Sequence, residues 1–413
     1  MISQIVKNIS KLSIGTILGQ FAVVLGSVFL ARIYSPEHFG DYGLILTIAS
    51  IAAMCGALSM EHAVVKEKDL KTSNNLIQIS LFISVAIFFL LLALVALFKY
   101  FNFYQIRYLN SVPLLFILLT LSNIFYAALN RHENYNELSI IQASRQIFLV
   151  LLQISFGILG YLSFGLVGGL IFSLIILVCI LIVVTRKLKI FKSFLNFGEY
   201  RKLISTNKKF ILYSTPQSLI NITATQLPIF IFASFFNPII LGSYFFAYKL
   251  VSMPAALIGQ NIKRVYFRKA SELASDFHNQ LSIFRTVFGS IALLSILLIA
   301  LFFPVVENLF ILIFGQEWAM ASSFCKWMLI WFGANFCIAP CRSLYLVYNV
   351  QQFLFFHDLI SAIIRTVVLI YSAINFDAIT AIMIFSITSA ILSLTHLVAW
   401  WLILESKAKK NVQ

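Results

Sequence analysis

A chain of 413 residues in which 61% are hydrophobic and only 11% charged, with a mean hydropathy of +0.94, is not a water-soluble globule, whose charged share is about 25%. Lipid is the solvent for most of it, so apolar runs of about 20 residues read as spanning helices, since no open sheet edge survives in hydrocarbon. The net charge of +15 falls in short basic clusters between those runs, which speaks for membrane topology and against a nucleic-acid partner.

Twelve spans are expected, at residues 12–32, 39–60, 76–98, 112–130, 143–162, 165–185, 210–235, 239–262, 282–303, 321–346, 359–376 and 379–404. In the first, the apolar run behind Lys7 and Lys11 is too long for a signal-peptide core, so that helix is expected to be retained. Gly15 and Gly19 within it read as a close helix contact. Glu61, just past the second span, and Asp358, just before the eleventh, are read as helix-end carboxylates. Each is a candidate for ion coupling, with capping or pairing to nearby basic residues as the plainer role. Arg145 sits near the inner end of the fifth span, where snorkelling accounts for it as well as substrate binding does. In the seventh, Gln217, Asn221 and Thr225 are spaced by four and drift by only about 40° per step. They form one polar stripe between Pro216 and Pro228, suited to lining a cavity or to bonding another helix.

The later spans carry the basic candidates. Lys249 lies near the middle of the eighth, Lys326 about a turn into the tenth, and Arg365 under two turns into the eleventh. A cation at a helix centre costs about 2.5–3.5 kcal/mol, so such residues face a wet cavity or a partner. Trp327, Trp331, Asn335 and Arg342 share a face of the tenth span that suits stacking on sugar rings; Trp327 also fits an interfacial anchor, and Arg342 can snorkel. His396 in the last span is read as a proton carrier or a hydrogen-bonded packing histidine. No carboxylate is expected at mid-depth. The five cysteines all lie in apolar runs and read as buried thiols; no catalytic residue, metal or cofactor is implied.

Most of the 30 basic residues fall on the side that holds both termini when the N-terminus is placed inside, which makes both ends cytoplasmic. The longest hydrophilic segment, Arg186 to Lys209, separates six helices from six. The expected divisions are an N-lobe at 1–190, a cytoplasmic linker at 191–209 and a C-lobe at 210–413. The basic run reads as a positive-inside anchor, with anionic lipid or a cytoplasmic glycosyltransferase as other partners. Ala31, Pro36, Gly40 and Tyr42 recur as Ala233, Pro238, Gly242 and Tyr244, each displaced by 202 positions. An even number of helices per copy makes the repeats parallel, about an axis along the membrane normal, with a central cavity between lobes as the natural binding place.

The hairpin "LARIYSPEHFGDYGLI" and the segment from Pro216 through "FFNPIILGSYFFAYKL" to Phe267 resemble the polysaccharide flippases of the multidrug/oligosaccharidyl-lipid/polysaccharide exporter superfamily, as do "ALNRHENYNEL", "FGLVGG" and "IFGQEW". Lys249 falls where that family has a basic residue after an alanine and an aromatic. The resemblance implies an O-antigen or capsule-type flippase of a bacterial inner membrane. Its cargo would be an undecaprenyl-diphosphate-linked oligosaccharide, and polysaccharide assembly proteins are implied as partners. A diphosphate crossing unaided meets a Born penalty of about 20 kcal/mol per ion, which a wet basic cavity removes. A membrane potential worth about 2.3 kcal/mol per charge per 100 mV draws a doubly anionic headgroup outward, so no coupling ion is required in this scheme. Two other classes remain: a cation-coupled multidrug antiporter, marked by a mid-depth carboxylate, and a membrane polymerase or acyltransferase, marked by a sizeable outer loop with a nucleophile or metal cluster.

Overall fold

The computed structural model describes residues 2–101, 106–187, 197–273, 276–338, 341–348 and 350–410, with no strand among them. The helices are α1 (Ile2–Ile33), α2 (Pro36–Met54), α3 (Met60–Lys66), α4 (Leu70–Tyr100), α5 (Val112–Arg131), α6 (Tyr135–Ile158), α7 (Leu162–Lys187) and α8 (Phe197–Thr206). They continue with α9 (Thr215–Phe235), α10 (Pro238–Glu272), α11 (Phe277–Phe302), α12 (Val306–Phe314), α13 (Ala319–Ile338), α14 (Cys341–Val347), α15 (Gln351–Asn375) and α16 (Ala378–Lys410). Each expected span meets one long helix, so the protein is an all-α membrane protein, with twelve long helices and four short ones among the described residues. Nine stretches among the described residues are long and apolar enough to cross a membrane by themselves; in α10 the apolar part is Pro238–Met253. Part of the expected linker, residues 188–196 with Lys189 and Lys192, lies outside the described residues.

One expectation about boundaries is corrected. The tenth span meets α13 as far as Ile338 and α14 from Cys341, which carries Arg342; residues 339 and 340 between them lie outside the described residues. The eleventh begins at Gln351 rather than 359, so Asp358 is not at a helix end but about two turns inside α15.

The chain divides into two compact units, Met1–Gln226 and Leu227–Gln413, with the boundary inside α9. In the first, α1 lies against α6. At Gly19 an added Cβ would sit 3.4 Å from the Ala143 backbone, and at Gly15 it would collide with Ser139, so the glycine pair makes the close contact read from its spacing. The buried Tyr34 donates its hydroxyl to the Gln153 carbonyl at 2.7 Å, and Gln153 Nε2 donates to the Leu166 carbonyl at 2.9 Å, which stitches α6 to both neighbours. Thr215 at the start of α9 donates to Ser59 Oγ at 3.1 Å, holding that end of α9 to the first unit.

In the second unit α13 packs on α10 and α16. Gly315 ends α12 at φ 107°, ψ 166°, a conformation open essentially to glycine alone. The turn it makes buries Trp318 completely, its ring 4.2 Å from that of Phe246. The 202-residue repeat is visible in local geometry: Ser35 (φ −73°, ψ 163°) and Asn237 (φ −76°, ψ 164°) each precede a proline that opens a helix. The matching Tyr42 and Tyr244 are both buried. Cys325, Cys337 and Cys341 are buried free thiols, Cys55 is half-buried, and Cys179 faces outward from α7 within a stretch apolar enough to span the membrane.

Candidate functional site

The second unit gathers ionisable side chains from three helices, and the amide Asn335 from a fourth, into one network. Asp358 of α15 is its centre. Arg342 of α14 donates from Nη2 to Asp358 Oδ1 at 2.9 Å, and His396 of α16 brings Nε2 to 3.6 Å of the same oxygen. On the far side of the buried His396, Nδ1 lies 2.9 Å from the Tyr345 hydroxyl, an arrangement that suits the tautomer with its proton toward the carboxylate. His357 packs its ring on that of His396, with centroids 3.6 Å apart. Its Nε2 is 2.6 Å from Thr395 Oγ1, which donates its own proton to the Leu392 carbonyl, and its Nδ1 is 3.3 Å from Ser361 Oγ.

One to two turns along α15 lies Arg365. Its Nη2 donates to Ser393 Oγ at 3.3 Å, and Ser393 in turn donates to Asn335 Oδ1 at 2.9 Å. The hydrogen bond described for this guanidinium is to a neutral hydroxyl, no ion pair to it is found among the described residues, Asp358 reaches it only through space, and its Nε is buried without a hydrogen-bond partner among them. His357, Ser361 and Arg365 are spaced by four, so a helix presents them on one face. Arg342 has its charge matched by Asp358, while Arg365 keeps a net positive charge at the middle of a spanning helix.

Of the residues read from the sequence, Arg342, Asp358, Arg365, Asn335 and His396 are brought together. His357, Tyr345 and Ser393 were not anticipated; the i, i+4 spacing through His357 was the available signal. Lys326 stands apart, paired with Glu307 at 3.0 Å and set 5.1 Å over the Phe303 ring. Trp331 is 7% exposed, its ring covered by Tyr248, Phe332 and Phe385, so no open face is left for stacking a sugar in this conformation. Lys249 is half-buried in α10, beside Tyr248, which stacks on Tyr244. Arg145 on α6 lies within electrostatic reach of Tyr42 and Tyr126. Gln217, Asn221 and Thr225 are all exposed along α9, and Thr225 bonds back to the Asn221 carbonyl. Glu61 opens α3 with Oε2 buried and unpartnered.

The intramembrane charges are therefore not all basic: Asp358 lies within a spanning helix, which corrects the expectation that every carboxylate sits at a helix end or in a loop. His357, Asp358 and His396 also place their ligand atoms within 4.8 Å of one another, the donor set that zinc takes. A dication there would have to displace Arg342 from Asp358 and sit near a second guanidinium, so the charges present do not favour a metal.

The sequence pattern of the family described as "Polysaccharide biosynthesis protein" matches residues 29–323. No curated protein sequence matches the chain. Among solved structures, it is similar to a lipid II flippase, MurJ, in an inward closed conformation (TM-score 0.69, 13% identity, covering 96% of this chain and 90% of that one). It is similar also to an inward-facing multidrug resistance MATE family transporter of the MOP superfamily (TM-score 0.71, 12% identity, 98% and 100% covered). A third is a MOP superfamily transporter from Pyrococcus furiosus whose binding pocket is described as of reversed polarity (TM-score 0.59, 13% identity, 98% and 96% covered).

Proposed function

The chain belongs to the polysaccharide biosynthesis protein family, and from that premise we propose that it is a flippase for a polyprenyl-diphosphate-linked oligosaccharide, the repeat unit of an O-antigen or other surface polysaccharide. The cargo moves from the cytoplasmic to the outer leaflet of a bacterial inner membrane, and no covalent bond is made or broken. The fold it has in common with the lipid II flippase supports this reading. The observation that carries it is Arg365, a guanidinium at membrane depth whose described hydrogen bond is to a neutral hydroxyl. A diphosphate could take both the free edge of Arg365 and the place of Asp358 on Arg342, exchanging a weak neutral contact for charge-assisted bonds. Lys249 in the second unit, and Arg145, Gln217, Asn221 and Thr225 in the first, are further proposed cargo contacts, each within its own unit, while the prenyl tail stays in lipid.

One observation favours a second element. Asp358, His396 and His357 form a linked titratable group beside the arginines, so a proton taken up there as the anion displaces Asp358 would couple the two movements. The scheme in which the potential alone drives the cycle stands beside it.

The test is flipping of a fluorescent lipid-linked diphosphate oligosaccharide in sealed proteoliposomes, with the potential and the proton gradient clamped separately. Cargo flipping that survives in the wild type and falls in Lys249→Glu and Arg365→Gln supports the assignment. Equal flipping in all three overturns it. In cells, deletion should leave the lipid-linked intermediate on the cytoplasmic leaflet; unpolymerised units reaching the outside would point to a polymerase.

A further inference from the structure

The first unit has a basic cavity of its own, of about 640 Å³, closed by the end of α3, the loop that follows it, the end of α8 and the turn leading into α9. Lys66, Lys68 and Lys209 line it, together with Thr206, Phe210 and Tyr213. Lys66 holds its ammonium 5.7 Å over the Phe210 ring. None of the three lysines is paired with a carboxylate among the described residues, although Glu67 is part of the same lining. Its Oε1 instead accepts from the backbone of Lys68 at 2.8 Å and Asp69 at 3.2 Å.

The cavity is built rather than incidental. Arg131 pins the rim by donating from Nε to the Glu67 carbonyl at 2.7 Å and from Nη2 to the Lys68 carbonyl at 2.6 Å. Tyr200, Leu203 and Ile204 of α8 pack on the core that includes Met60, Val64 and Leu76, so the amphipathic helix forms part of the wall. Phe210–Ser214 is a π-helical turn, a wider winding that sets Phe210 and Tyr213 toward the opening, and such turns concentrate at functional positions. Phe210 and the exposed Tyr213 are the apolar rim of this lining, and Val65 and Leu212, next to lining residues in sequence, are exposed as well. A soluble anion gains nothing from that apolar rim, whereas a lipid places its headgroup on the ammonium groups and its chains along the rim.

We infer that this cavity binds the phosphate headgroup of an anionic phospholipid from the surrounding leaflet, at a site independent of the cargo. The full chain, in nanodiscs of phosphatidylcholine, is exposed to photoactivatable phosphatidylglycerol, and labelled peptides are mapped. Label is expected on the peptides around residues 60–72 and 203–215. Each lysine removed should lower its yield by roughly five-fold. The triple variant Lys66→Gln, Lys68→Gln, Lys209→Gln should therefore lose nearly all of it, and Lys209→Gln alone serves should the triple fail to fold. A charge-matched triple, Lys269→Gln, Lys407→Gln, Lys409→Gln, should leave these peptides labelled as in the wild type. Unlabelled phosphatidylglycerol should compete and millimolar inorganic phosphate should not. Equal loss in both triples, competition by phosphate as strong as by lipid, or label elsewhere overturns the inference.

Discussion

Arg365 stands at least about 15 Å from either end of α15, where a guanidinium has no bulk water to rely on. A charge-assisted bond to phosphate contributes about 1.5–3 kcal/mol, so Arg365→Gln should slow flipping by roughly 10- to 150-fold with insertion unchanged. Arg365→Lys should recover part of this, because charge is kept and the planar fork is lost. Asp358 answers to a different test. The Arg342–Asp358 pair belongs to a spanning region where its exposed part does not face bulk water, so its loss in Asp358→Asn should cost between the ~1 kcal/mol of an exposed pair and the ~3–5 kcal/mol of a buried one. The larger effect should be on coupling: flipping in Asp358→Asn proteoliposomes should no longer respond to an imposed proton gradient. Five of the eight residues of this cluster were legible, Asp358 among them, though as a helix-end carboxylate. Arg342, Arg365, Asn335 and His396 stand out as polar groups in apolar runs, but His357 and Asp358 interrupt the hydropathy and read as the end of a helix. The chain continues helical through them because Arg342, His396, Thr395 and Ser361 supply the partners that water would otherwise supply.

Individual elements are held by their ends. Asp377 caps α16, with Oδ2 accepting from the Ile379 and Thr380 amides at 3.0 and 3.3 Å and Oδ1 from the Thr380 hydroxyl at 2.6 Å. That hydroxyl, followed by the amides, holds the carboxyl below the ordinary range. A depressed value means the cap is fully in force above the unfolded value near 3.9 and fades only as pH falls through the folded one. Amide exchange at residues 379 and 380 should therefore be equally protected at neutral and mildly acidic pH once intrinsic rates are corrected. It should rise in Asp377→Ala but little in Asp377→Asn, since asparagine caps nearly as well. Gly315 is the other fixed point. Gly315→Ala should cost about 1–3 kcal/mol in unfolding, read by denaturant or heat, because the replacement must hold a conformation that L side chains avoid. The paired turns at Ser35 and Asn237 explain why a repeat of four residues was readable at all: Pro36 and Pro238 open helices behind them, and Tyr42 and Tyr244 are buried rings.

For the whole molecule, lipid made the architecture legible, because an apolar run of sufficient length has only one stable form in hydrocarbon. What hydropathy could not show was the grouping of helices. The boundary between units falls within α9 rather than in the hydrophilic segment before it, since α8 and the start of α9 are bound to the first unit by Tyr200, Leu203, Ile204 and Thr215. The topology has a direct check: with twelve spans, reporters fused to either terminus should both be active in the cytoplasm. The lengths of two helices carry a mechanical consequence. At 35 residues α10 rises about 52 Å against a hydrocarbon thickness of about 30 Å, and α16 with 33 residues is nearly as tall. Their surplus turns end in Lys263, Lys269, Lys407 and Lys409, ammonium groups that dragging into oil would penalise at every step. Such a unit keeps its vertical station in the bilayer as a float keeps its waterline. Its working stroke is confined to tilting and turning in place, and a lift-like plunge across the membrane is closed to it.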